Sequence, residues 1–176
     1  MKTKLSKINK INIVLNGPSG SGKSVLAKLL AKDIGYKFYD IDSLIEKKTK
    51  MTINEIFSKK SEDYFRYIEE IECLYYLNIE NAVISLGGGA IINKKIRETI
   101  EKKSFSIYLK VDIDILNKRL IKSKKRPLLK NVNIKKKITE LINSRKKYYN
   151  KSDLVIDNSK NTEESLNRIK NYLNNL

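Results

Sequence analysis

The eight residues Gly17-Pro-Ser-Gly-Ser-Gly-Lys-Ser24 constrain this chain more than any other feature. They fit the pattern G-x-x-x-x-G-K-[ST], between an apolar β-branched run, Ile11–Leu15, and a helical pattern from about Lys23 to Ile34. Strand, glycine-rich loop and helix form the context that the pattern requires. Its physics is specific. Glycines let successive backbone N–H groups curve around an anion. The helix start adds the positive end of a dipole. Lys23 is expected to reach the β- and γ-phosphates of a nucleotide, and the Ser24 hydroxyl to ligate Mg²⁺. A Gly/Ser-rich turn with no ligand is the bland alternative, and both flanks speak against it.

The rest of the chain alternates in kind. Lys37–Asp40, Ala82–Ser85, Phe105–Val111 and Leu154–Ile156 read as further strands. Helical patterns fill Ser43–Leu77 in two or three pieces, then Lys94–Lys102, Ile113–Ile121, Ile134–Tyr149 and Glu163–Leu173. Gly35 is placed to stop the first helix. The basic stretch 122–133, broken by Pro127, reads as a loop. No repeat or flexible linker interrupts the pattern, so the 176 residues are read as one domain. The expected fold is a three-layer α/β fold, a five-stranded, mainly parallel sheet flanked by helices. Ligands then belong at the carboxyl ends of the strands.

Composition removes whole classes of chemistry. The chain has no histidine and one cysteine, Cys73. It therefore builds no internal disulfide, no Cys/His zinc site and no histidine-dependent catalytic triad. Carboxylates, lysine, arginine, hydroxyls, backbone amides and an oxygen-held metal remain. No apolar run is long enough to span a bilayer, and the apolar stretch after the basic N-terminus is too short for a signal peptide. A cytoplasmic location without membrane attachment is expected. The net charge of +17 would suit a nucleic-acid binder, but the lysines are scattered along the whole chain and no aromatic-interleaved basic motif appears. No nucleic-acid partner is expected. Only six arginines occur, at 66, 97, 119, 126, 145 and 168. In so lysine-rich a chain, arginine points to places needing a planar, bidentate donor.

Further motifs sit at strand ends. Alternation along a strand would turn Asp40 and Asp42 to one face, toward the phosphate site. One could orient Mg²⁺ through its water shell, the other receive or steer the proton of an attacking hydroxyl. The alternative is that Asp42 caps a helix over 43–47. Gly87-Gly88-Gly89 follows the third strand and lets a ligand approach the backbone. Arg66, Arg126 and Arg145 could clamp a carboxylate or shield a transferring phosphoryl group; surface ion pairing is the alternative for each.

The run from Asn16 to Tyr149 resembles shikimate kinase. The matching stretches are NGPSGSGKS, YKFYDID, MTINEIF, EDYFR, SLGGGA, RPLL and SRKKYY, in the family's order and at similar spacing. The resemblance implies the nucleoside monophosphate kinase-like fold, with a substrate-binding helical region near 41–70 and a lid near 122–133. It implies transfer of the γ-phosphoryl group of ATP to the 3-hydroxyl of shikimate, with Mg²⁺, on the route to chorismate and the aromatic amino acids. Gly20, Ser21, Gly22, Lys23, Ser24 and Val25 would meet the nucleotide, with Arg119 near the adenine and Arg126 reaching the phosphates from the lid. Lys23, Asp42 and Arg126 would be catalytic. Asp42, Arg66, Gly87, Gly88, Gly89 and Arg145 would hold shikimate. Ser24 and Asp40 would serve the metal. A monomer acting on the two small molecules is implied.

The chain also departs from the family. Val25 stands where threonine is usual, which removes a phosphate-directed hydroxyl. Lys50 and Ser61 replace common glycines. No carboxylate ends the third strand, and Asp112 after the fourth is a competing candidate for the metal. Alternatives are a kinase for another hydroxyacid such as gluconate, an RNA-associated protein, and a former kinase serving as a scaffold.

Overall fold

Alternation along β1 (Asn12–Asn16) divides the molecule into layers. Ile13 and Leu15 join the apolar cluster on one side of the sheet, Val14 the cluster on the other, and all three are fully buried. The computed structural model describes residues 4–121 and 133–176. β1 lies between β3 (Ala82–Ser85) and β4 (Ser104–Lys110), with β2 (Lys37–Asp40) and β5 (Leu154–Asp157) at the edges. The order is β2-β3-β1-β4-β5 and every pairing is parallel. The central strands are covered on both faces, which explains their nearly continuous burial.

One face is closed by α1 (Lys23–Ile34) and α8 (Thr162–Asn174), which pack Leu26, Leu30, Ile169 and Leu173 against Ile13, Leu15, Val83 and Ile107. The other carries α2 (Ile41–Thr49), α3 (Ile53–Lys59), α4 (Glu62–Tyr76) and α5 (Lys94–Lys103) over Val14, Ile84 and Tyr108. Each aliphatic side chain buried this way contributes about 1.5–3 kcal/mol. α6 (Ile113–Ile121) and α7 (Ile134–Tyr149) share a smaller cluster of Val111, Leu116, Leu120 and Ile138. Among the described residues these make the expected three-layer fold with five strands.

Local signals set the joints. Gly35, at φ 74°, ends α1 and donates its N–H to the Ala31 carbonyl. Thr52 and Glu55 form a capping box at the start of α3. Ser61, in place of the common glycine, takes an extended conformation and accepts the Tyr64 N–H, so it caps α4. Lys50 does take the left-handed conformation, φ 54°, at the end of α2.

Two readings change. Residues Lys4–Ile8 and Ala90–Ile92 form short 3-10 helices that periodicity did not reveal. The pairing of Asp40 and Asp42 on one strand face is corrected. β2 ends at Asp40, whose carboxylate caps α2 by accepting the Ser43 N–H, and Asp42 lies in the first turn of that helix. The lid expected at 122–133, with Arg126, lies outside the described residues apart from Asn133, which caps α7.

Candidate active site

Gly22 precedes α1 in the left-handed region, φ 93°, so the loop turns directly into the helix start. Lys23 is buried, and its ammonium donates to the carbonyls of Gly17 (3.0 Å) and Pro18 (2.9 Å). The charge is thus drawn into the ring of the loop. Ser21 is fully buried and its carbonyl accepts from Asn158 Nδ2 at 2.8 Å. The Gly20 carbonyl accepts from Arg119 Nη1 at 3.2 Å, while Arg119 Nη2 reaches the Asn158 carbonyl. Arg119 and Asn158 therefore join the phosphate loop to the turn after β5. Val25 is 59% exposed beside Ser24, on the open side of α1.

Ser24 Oγ lies 3.4 Å from Ser85 Oγ at the end of β3, and Ser85 pairs in register with Asp40. These oxygens suit Mg²⁺, which takes one or two protein ligands and completes its shell with phosphate oxygens and waters. The fit is partial for Asp40, since its Oδ1 already accepts the Ser43 N–H at 3.0 Å. Asp112 is engaged elsewhere. Its Oδ1 accepts from Asp114 N at 2.8 Å and so organises the start of α6.

Beside the loop opens a cleft whose apolar walls include Ile53, Phe57, Phe65, Ile138, Leu141 and Ile142. Four charges enter it: Asp42, Arg66, Glu69 and Arg145. Arg66 Nη1 donates to Glu69 Oε2 at 2.6 Å, and Nη2 to Glu62 Oε1 at 3.0 Å. Arg145 is buried and donates from Nη1 to the Gly88 carbonyl at 2.8 Å. Its Nε and the Oε1 of Glu69 are buried without a hydrogen-bond partner among the described residues. A buried donor and a buried acceptor left open in one cleft suit a polar ligand that offers an acceptor to the one and a donor to the other.

The three glycines form the wall between loop and cleft. A Cβ on Gly87 would stand 2.5 Å from Glu69 Oε1 and 2.7 Å from Asp42 Oδ1. Burial pushes the Glu69 carboxyl up from its ordinary value; Arg66 pulls it down, Asp42 pushes it up and Arg145 pulls it down, and the outcome is raised. Arg66 is held protonated against its own burial by Glu69 and Glu62.

The structure thus brings Lys23, Asp42, Arg66, Gly88, Gly89 and Arg145 around one cleft and loop. Sequence reasoning passed over Glu69, Ser85, Tyr149 and Asn158. Glu69 had a readable signal, since it stands three residues after Arg66 on one helix, where opposite charges meet. The other three become visible only once strands and helices are assembled.

The family described as shikimate kinase matches residues 19–174. A shikimate kinase from Bartonella quintana is 38% identical over 177 residues, covering 98% of this chain and 84% of that protein. The solved shikimate kinase from Acinetobacter baumannii in complex with shikimate superposes with a TM-score of 0.89 at 29% identity, covering 97% of each chain. A gluconokinase from Sinorhizobium meliloti shares the fold alone, with a TM-score of 0.56 at 15% identity.

Proposed function

This chain belongs to the shikimate kinase family, and from that membership we propose that it transfers the γ-phosphoryl group of ATP to the 3-hydroxyl of shikimate, releasing ADP and shikimate 3-phosphate. The observation that carries the acceptor is the cleft itself: a ring-sized apolar enclosure with an open Arg145 Nε for a carboxylate and an open Glu69 Oε1 for a hydroxyl.

Phosphoryl transfer asks a protein for in-line positioning and for cationic shielding of the phosphates. Arg145 and Arg66 hold the acceptor carboxylate by bidentate geometry. Glu69 keeps Arg66 in place, and its second oxygen receives an acceptor hydroxyl. Asp42, at the start of α2, aims the 3-hydroxyl at the phosphate and receives its proton as the new P–O bond forms. Lys23 leaves the loop carbonyls for the β- and γ-phosphate oxygens. Gly20, Ser21, Gly22 and Val25 line the phosphate side with backbone N–H groups, and Arg119 flanks the adenine. Ser24 would hold Mg²⁺, with Asp40 and Ser85 behind it, and the ion would supply charge neutralisation on the phosphates. Arg126, outside the described residues, would add a further cation at the phosphates. No helix among the described residues is long and apolar enough to cross a membrane. A monomeric, cytoplasmic enzyme completes the proposal.

The variant Asp42→Asn tests the assignment. Turnover falls at least about a hundredfold, while Mg-ATP affinity measured by calorimetry stays within twofold. Retained turnover would remove Asp42 from the mechanism.

A further inference from the structure

We propose that Tyr149 is a positioning residue for this transfer: its hydroxyl fixes the Gly88–Gly89 peptide, the piece of backbone wedged between the phosphate loop and the acceptor clamp. The inference rests on the placement of the acceptor beside Arg145 and Arg66.

Tyr149 ends α7, one helical turn beyond Arg145, so both side chains leave the same face of the helix. The Tyr149 hydroxyl donates to the Gly88 carbonyl at 2.8 Å, and Arg145 Nη1 donates to that same oxygen at 2.8 Å. A carbonyl oxygen has two lone pairs, and both are engaged here. The peptide unit is planar and trans, so fixing this carbonyl also fixes the Gly89 N–H, which points the opposite way, away from α7.

The surroundings of that peptide give the anchor its significance. A Cβ on Gly88 would stand 2.9 Å from the Ser19 hydroxyl and 3.1 Å from the Ser19 backbone nitrogen of the phosphate loop. A Cβ on Gly89 would stand 2.5 Å from Arg66 Nη1. One peptide therefore lies between the phosphate loop and Arg66, and its tilt sets how the acceptor is aligned on the loop. The anchor itself is stiff. The Tyr149 ring is 1% exposed and stacks on Tyr108, with centroids 4.9 Å apart and planes 11° apart. Burial pushes the hydroxyl's pKa up to about 12, against the opposing pull of Arg145, so it remains a donor throughout the neutral range.

The variant Tyr149→Phe removes the hydroxyl and keeps the ring and its stack. The expected result is a loss of about tenfold in kcat/KM for shikimate. Mg-ATP affinity stays within twofold, and the melting midpoint falls by no more than about 4 °C. Because Arg145 shares the acceptor oxygen, a double-mutant cycle of Tyr149→Phe with Arg145→Lys gives losses that are not additive. Wild-type kcat/KM for shikimate in Tyr149→Phe, beside a strong loss in Arg145→Ala, overturns the inference and leaves the acceptor placement standing. Equal losses of shikimate and Mg-ATP affinity, tracking the melting midpoint, overturn it as well, since they mark general destabilisation. Normal shikimate kinetics in Arg145→Ala itself overturn the acceptor placement and the inference together.

Discussion

Glu69 is the residue on which most of the cleft's electrostatics meet. It is buried, ion-paired with Arg66 and close to Asp42, and its carboxyl is raised. A raised carboxyl binds its proton more tightly in the folded protein than in the unfolded chain. Its contribution therefore weakens the fold as pH rises from the ordinary glutamate value through the raised one. The variant Glu69→Gln should flatten stability against pH in that window, as followed by chemical denaturation at several pH values. Protonating Glu69 also costs Arg66 the buried one of its two charged partners, leaving only Glu62. The acid limb of kcat/KM for shikimate then lies above the ordinary glutamate range, and Glu69→Gln moves it down. An unmoved limb would separate Glu69 from acceptor binding. This residue shows where sequence reasoning stopped. Lys23, Asp42, Arg66 and Arg145 stand in recognisable motifs, whereas for Glu69 the spacing from Arg66 marked the ion pair but nothing in the sequence marked its burial beside Asp42. For Asp40 and Asp42, strand alternation gave the wrong geometry, because the Ser43 N–H draws Asp40 into a helix cap and ends the strand.

At the scale of elements, the seam between α7 and the backbone after β3 forms one wall of the cleft. Arg97 of α5 ties this seam from behind. Its Nη1 donates to the carbonyls of Ile91 and Ile92, and its guanidinium lies over the Tyr148 ring, 4.1 Å from the centroid. Tyr148 neighbours Tyr149, so Arg97 braces the helix end that carries the hydroxyl and Arg145. Truncation to alanine removes a cation–π contact and hydrogen bonds worth together about 2 kcal/mol. The melting midpoint of Arg97→Ala should fall by roughly 5 °C, with KM for shikimate raised and KM for ATP little changed. A stable variant with normal KM would show that α7 needs no such brace. The strands and the long helices were legible because their apolar periods are long. The 3-10 helix Ala90–Ile92 was not, since three residues carry no period; it follows from the Ile92 N–H bonding back to Gly89.

Across the whole molecule, the parallel sheet gathers the glycine-rich loop, Asp40 and the Gly87–Gly89 run at one edge, the carboxyl ends of β1, β2 and β3. The net charge of +17 gives the molecule a field that attracts anions. Salt screens such a field over about 10 Å at 0.1 M. KM for ATP should therefore rise several-fold as ionic strength increases from about 0.05 to 0.5 M, and KM for singly charged shikimate should rise less. Equal or absent salt effects would assign the lysines to solvation alone. The fold was legible in the sequence because strand, loop and helix alternate without interruption. The acceptor was legible only through motif resemblance, since composition and periodicity do not distinguish shikimate from gluconate.

Coupled ADP release with ATP, Mg²⁺ and shikimate, run beside gluconate and acceptor-free controls, reads the acceptor most directly. Turnover should require shikimate, be absent with gluconate, and be lost on adding a chelator. Tight Mg-ATP binding with no shikimate-dependent ADP release, or equal release with gluconate, would rule out shikimate as the acceptor.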